Sequence, residues 1–322
     1  MRILIINRQE RARSLDTMYN RVVELNPGSQ MIKLSKEQIR VLPKTLKELD
    51  VSGFDRVLFD IPLRRVAHAF ARVRALPGLV YYEEDAYQEF MGESKFHSKF
   101  LTFFKSLNGS PVIFTSASVR DYFGSRGVSA HFVAKAFDDA HLHNLSGPRD
   151  IDLAFVGRVN NQVYSRRKEL LDRVAASTPL QLLRTESPDE YLAVLNRIKF
   201  FLSADIGFNE YMAKNFEAMA CGCILLAKRQ PTEDALLGLV DMVNVVHYDT
   251  VEELLEKYTH LLAHPDEAAA IAKAGHDLVF ERHRLSQRAE EFSAVLALPH
   301  QNPQGVHPSG LFHRLRALIT GA

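Results

Sequence analysis

The densest chemistry in the chain lies at residues 205–226, DIGFNEYMAKNFEAMACGCILL. A strand expected to end near Ala204 gives way to a polar loop and then a short helix over 215–221. Gly222 stops that helix, because glycine accepts the left-handed C-terminal turn, and the next strand follows at once. A helix that starts where a parallel strand ends presents free N–H groups and the positive end of its dipole, which suit a phosphate. Lys214 adds a full charge there, with Asn215 and Phe216 beside it. Glu217 falls in the first turn, where a carboxylate can accept two hydrogen bonds from a vicinal diol such as that of ribose. The same residues also describe a well-capped helix with an acid in its first turn, and local physics alone favours that plainer reading.

Further candidates surround this segment. Gly157, after an expected strand at 151–156, permits close backbone approach. Arg158, with Arg166 or Arg167 of the following turn, can clamp a pyrophosphate through the bidentate guanidinium fork, although Arg166, Arg167 and Lys168 equally fit a solvated helical turn. In the first half, a strand at 79–82 runs into Glu83-Glu84-Asp85. Glu84 or Asp85 at a strand end would orient or deprotonate an acceptor hydroxyl, or simply cap a helix. The loop Asn7-Arg8-Gln9-Glu10-Arg11 lacks glycine and offers basic and amide groups instead. Asp138, Asp139, His141 and His143 read as linker structure, so no metal site is expected. Cys221 and Cys223 are too close along the chain for an easy disulfide and read as small core residues.

The elements that must position these groups follow a regular rhythm. Short apolar runs at 2–6, 31–34, 56–60, 79–82, 111–114 and 131–133 alternate with helical patterns such as 63–76, 94–107 and 116–125. After a polar Gly-Pro stretch at 143–150 the rhythm restarts, with strands at 151–156, 180–183, 199–203, 224–227 and 243–247. Runs with little polar alternation suit parallel strands covered on both faces. The pattern predicts an α/β protein of two doubly wound domains, with ligands in a cleft at the strand C-termini. The 322 residues and 46% hydrophobic content suffice for two such cores. Forty basic against 39 acidic residues give a net charge of +1, which argues against a nucleic-acid partner. No run reaches the ~18 apolar residues of a membrane span, and a cytoplasmic location is expected. In the tail, Leu311, Leu315, Leu318 and Ile319 share one helical face flanked by Arg314 and Arg316. Such a helix either packs back on the N-terminal domain or makes peripheral contact with the inner face of a membrane.

Phe216-Glu217-Ala218-Met219-Ala220-Cys221-Gly222 resembles the nucleotide-sugar motif of group 1, family 4-like glycosyltransferases, and Lys214-Asn215-Phe216-Glu217 resembles its spore-coat-type branch. Tyr248 to Leu254, His264 to Glu267, Ile271 to Gly275, His283 and Arg288 resemble that family's C-terminal elements. The resemblance covers residues 150–295 and implies the GT-B fold, two Rossmann-like domains facing a cleft. It divides the chain into an acceptor domain (1–147), a nucleotide-sugar domain (148–298) and a tail (299–322). Asn209 stands where the family's first glutamate is expected, with Glu210 one residue late. The implied reaction moves a sugar from a nucleoside-diphosphate sugar, with retention and without a metal or other cofactor. The acceptor would be a glycan, a lipid-linked glycan or a protein. Asn209, Glu210, Glu84 and Asp85 are the catalytic candidates; Gly157, Arg158, Arg166, Lys214, Asn215, Phe216 and Glu217 are the donor-binding ones. An inactive nucleotide- or glycan-binding module, and a sugar-nucleotide epimerase of the same fold, are the alternatives.

Overall fold

The structure is a computed structural model and describes residues 1–11, 14–159, 165–204 and 210–299, without the side chains of Ser165 and Arg166. Asn209 and the tail helix therefore lie outside the described residues, as does the Arg166 side chain.

Two compact units emerge. The first comprises Met1–Ala134 together with the chain from Arg288 onward, and the second Lys135–Gln287. Among the described residues, the first unit holds a six-stranded parallel sheet of β1 (Ile3–Arg8), β2 (Gln30–Leu34), β3 (Arg56–Phe59), β4 (Leu79–Glu83), β5 (Val112–Phe114) and β6 (Ala130–Phe132), in the order β2-β1-β3-β4-β5-β6. The order runs outward both ways from β1 and β3, which makes a topological switch point at their C-terminal ends. Residues 3–6 are wholly buried, as continuous apolar runs in a doubly covered sheet must be. One face packs on an aromatic cluster in which Phe104 meets Tyr81, Phe114 and Phe123 at ring-centroid distances of 6.1, 5.2 and 5.1 Å. Residues from Arg288 close this unit: Arg288 Nε donates to Ala134 O at 2.9 Å, and Phe292 meets Tyr19 and Tyr82 edge-on.

The second unit carries β7 (Ile151–Val156), β8 (Gln181–Leu183), β9 (Ile198–Leu202), β10 (Ile224–Lys228) and β11 (Val246–Tyr248), ordered β11-β10-β9-β7-β8 and all parallel. The Gly-Pro stretch expected as the joint is bonded into this unit. Leu145 N donates to Asn196 Oδ1 at 2.7 Å, and the Arg149 guanidinium donates to Ile198 O at 2.5 Å and to Cys221 O. The chain passes between units at Ala134–Lys135 and again at Gln287–Arg288.

Two expected helices are interrupted, each for a local reason. Over 63–76 the chain forms Leu63–Val66, a 3-10 turn at Ala67–Ala69, then Phe70–Arg74. The buried residues Leu63, Val66 and Ala69 recur every three positions, which is the spacing of a 3-10 turn. Over 94–107 the helix begins only at Phe100, because Ser98 takes φ +56°. Glu89 caps that late start, its Oε2 accepting Phe100 N at 2.9 Å. Asp138 and Asp139 act structurally: Asp138 accepts Ala140 N at 3.2 Å and Asp139 accepts Ser286 N at 3.0 Å.

Candidate functional site

In the second unit, the C-terminal ends of β7 and β9 and the helix Ala213–Ala220 converge. The helix starts at Met212 with no side-chain cap on its N-terminus. It ends at Gly222, whose φ of +83° permits the Cys223 N to Ala218 O bond of 2.9 Å. A Cβ on Gly222 would also meet Asn144 Nδ2 and an Arg149 nitrogen at 2.6 Å, so glycine is required twice over.

Lys214 projects back across β7. Its Nζ donates to Val156 O at 2.7 Å and lies 5.2 Å from the centre of the Phe155 ring. Arg167 reaches the same ring from the helix Ser165–Ala175, at 5.5 Å. Its Nε donates to Ala204 O at 2.7 Å and its Nη1 to Arg158 O at 3.2 Å, tying the ends of β7 and β9 together. Two cations thus share one aromatic ring. Burial, then the Arg167 charge, push the Lys214 pKa down to about 8, with Glu217 opposing the shift. Gly157 leaves the room: a Cβ there would lie 2.6 Å from Lys214 Nζ and 3.1 Å from the Phe155 ring.

Glu217 is buried one turn on, and its Oε2 accepts the Tyr191 hydroxyl at 2.7 Å. Tyr191 stands on the helix Pro188–Arg197, which Ser187 caps through Glu190 N at 3.1 Å. Burial and the Glu217 charge push the Tyr191 phenol well above its usual pKa, so it stays protonated and donates. Asn215 is held by one end of its amide, Ser203 Oγ donating to Oδ1 at 2.9 Å, while its Nδ2 is buried with no acceptor. That orphaned donor faces a cost that a ligand oxygen would remove.

The structure brings Gly157, Lys214, Asn215 and Glu217 to one place. It does not bring Arg158, whose side chain is exposed, or Phe216, which is buried against His283 with ring centroids 4.8 Å apart. Glu210 is engaged elsewhere, its Oε1 accepting Lys135 Nζ at 2.6 Å with both side chains buried. Arg167 takes the place beside Lys214. The sequence named it beside Arg166, but helical phase in a turn of three basic residues needs the sheet to resolve it.

In the first unit, the ends of β1, β3 and β4 enclose a cavity of about 180 Å³ lined by Arg8, Arg11, Asp60, Arg64 and Glu83-Glu84-Asp85. Arg11 bridges Asp60 and Glu84, and Tyr19 donates to Asp60 Oδ2 at 2.8 Å. Glu84 also accepts the Tyr82 hydroxyl at 3.1 Å, and Asp85 pairs with Arg64 at 3.0 Å. Burial raises the Asp60 pKa to about 6 against the pull of Arg11. Burial and the Asp85 charge raise Glu83 to about 8, although its oxygens accept Leu63 N and Asp85 N, both at 2.9 Å. Arg8 Nε is buried without a partner. Asp60 was missed in the sequence, yet an acid directly after a strand is the same signal that marks residues 83–85.

Residues 148–294 match the family model described as glycosyl transferase-like. No curated protein matches the sequence. Solved structures match along most of the chain. HepE of Anabaena, solved with UDP-glucose, is 11% identical with a TM-score of 0.66, covering 92% of this chain and 99% of that one. Sucrose-phosphate synthase from Thermosynechococcus elongatus is 13% identical with a TM-score of 0.63, covering 91% and 98%. The T4 phage β-glucosyltransferase, solved with UDP and Mn2+, is 12% identical with a TM-score of 0.58, covering 92% and 100%. The fold is GT-B, two parallel-sheet Rossmann-like domains.

Proposed function

We propose that the chain transfers a sugar from a nucleoside-diphosphate sugar held in the second unit to a hydroxyl of an acceptor held in the first. The observation that carries this reading is the pair Lys214–Arg167 at the start of an uncapped helix. A buried and a half-buried cation side by side raise the energy of the ligand-free protein, and a diphosphate reverses the sign of that interaction. Glu217, with one oxygen already aligned by Tyr191, takes the ribose diol, and Asn215 Nδ2 offers a further donor. HepE of Anabaena, solved with UDP-glucose, supports a donor of this class.

When the sugar–phosphate bond breaks, negative charge gathers on the departing diphosphate. Lys214, Arg167 and the helix N-terminus stabilise it from fixed positions, which supplies the charge compensation without a metal. The family resemblance supports a retaining outcome and the spore-coat-type branch. In the first unit, Glu84 and Asp85 border the cavity and orient the acceptor hydroxyl, with Arg11 and Arg64 holding the two carboxylates. A glycan, lipid-linked glycan or protein acceptor is assigned to the first unit, Met1–Ala134 with the chain from Arg288, and the donor to the second, Lys135–Gln287. No helix among the described residues is long and apolar enough to cross a membrane. Peripheral membrane contact rests on the tail alone.

The test is nucleotide release from a panel of nucleoside-diphosphate sugars, UDP-sugars first, with glycan and lipid-linked acceptors. Acceptor-dependent release supports transfer. Tight binding without release from any pair supports a binding module, and a changed sugar on the nucleotide identifies an epimerase.

A further inference from the structure

On the second unit, His264 is the hinge residue between the helices Val251–Ala263 and Pro265–Arg282, closing one and preceding the other. His260 lies one turn before it, and the two imidazoles stack with centroids 4.1 Å apart and planes 24° apart. His264 Nδ1 contacts His260 O at 2.8 Å. A carbonyl only accepts, so Nδ1 carries the proton, and in the neutral ring Nε2 holds the lone pair. Metal-binding histidines are oriented in this way, through a backbone carbonyl on the other nitrogen. His260 Nε2 in turn faces Glu267 Oε2 at 2.8 Å, across the joint on the next helix. A cation can insert between that nitrogen and oxygen. One ligating atom from each residue lies within 4.8 Å of the others.

We propose that His260, His264 and Glu267 form a surface site for a divalent transition cation of the zinc class. Two imidazoles and a carboxylate are the donor set of such ions, and hard cations that want oxygen alone are disfavoured. Bonds of about 2.1 Å in a tetrahedron need ligand atoms about 3.4 Å apart, a change that small rotations of three partly exposed side chains achieve. Water completes the fourth position. Bound metal would cross-link the two helices at their joint and brace the C-terminal half of this unit. None of the three residues belongs to the sugar-donor site, so the proposal does not depend on the transferase reading.

The test uses the full chain, stripped with EDTA, exchanged into chelator-free buffer and titrated with zinc chloride by calorimetry. One equivalent should bind, and melting should rise on saturation. The double variant His260→Ala/His264→Ala should weaken that binding roughly tenfold or more. Glu267→Gln should weaken it less, because its amide oxygen is an uncharged ligand. Copper(II) in place of zinc should show two coordinated imidazole nitrogens by electron paramagnetic resonance in the wild type and one in His264→Ala. Because these positions are surface ones, an unchanged circular dichroism spectrum is expected in each variant. Zinc affinity and stoichiometry equal in the wild type and the double variant would overturn the proposal, as would one coordinated nitrogen in both copper spectra.

Discussion

Replacing Lys214 by Met separates the two halves of the donor-site argument, because it should help the fold and harm the ligand. Holding the amine near pKa 8, against the usual 10.5, costs about 3 kcal/mol at pH 7, where the lysine is charged in both folded and unfolded chains. Methionine fills a similar space without that cost. It also leaves Val156 O without its donor, which returns about 1 kcal/mol. The net gain of about 2 kcal/mol corresponds to about 6 °C in melting temperature for a unit of this size. The pH course is diagnostic. A basic group with a depressed folded pKa penalises the fold fully below that pKa, and the penalty fades as pH rises toward the unfolded value. The variant should therefore melt higher than wild type at pH 7 and lose the advantage by about pH 10. UDP affinity by calorimetry should fall about ten- to hundredfold at pH 7, the worth of one charge-assisted bond. Wild-type affinity should itself drop about tenfold from pH 7 to 9 as Lys214 deprotonates, with the variant as the control for ligand titration. A variant that melts no higher at pH 7 and binds UDP as well as wild type would refute the reasoning.

Gly157→Ala should weaken UDP binding about tenfold and lower melting as well, since its φ of +156° strains a side chain and the new methyl crowds the lysine amine and the buried Phe155 ring; equal affinity would show the close approach to be incidental. Tyr191→Phe should raise the donor KM about three- to tenfold with kcat unchanged, because it releases one carboxylate oxygen of Glu217; a fall in kcat alone would contradict a positioning role. Glu83→Gln should flatten the loss of stability expected as pH rises from about 4.5 to about 8. A carboxyl with a raised folded pKa stabilises most below its unfolded pKa, and that contribution drains away until the folded group itself ionises and is level beyond, as thermal melts from pH 5 to 9 would show. Arg11→Ala should cost about 3–5 kcal/mol in chemical denaturation by leaving Asp60 buried without its cation.

Much of the fold was legible before any tertiary information, and the reason is physical. Strands buried on both faces must be short, continuous and apolar, so 151–156 matches β7 and the other strand expectations differ by a few residues at most. Helices were harder where their neighbours decide: the start at Phe100 depends on Glu89 reaching back as a cap, which no local pattern announces. Among site residues, Lys214 was legible because a helix start after a strand is a local statement; Glu217, expected in the first turn, lies in the second because the helix begins at Ala213, two residues before the expected start. Arg158 and Phe216 were chosen on the same local grounds, yet one side chain points into solvent and the other into the core.

The sequence by itself determined two doubly wound sheets and the segment where phosphate chemistry belongs, since both follow from periodicity and from the order of strand, loop and helix. Only the tertiary structure decided which groups meet. Lys214 and Arg167 lie 47 positions apart and share the Phe155 ring because β7 and β9 are neighbours in the sheet. Tyr191 meets Glu217, and Arg11 meets both Asp60 and Glu84, for the same reason. Burial, and with it the depressed lysine and the raised carboxyls, is a property of that packing and has no representation in the order of residues along the chain.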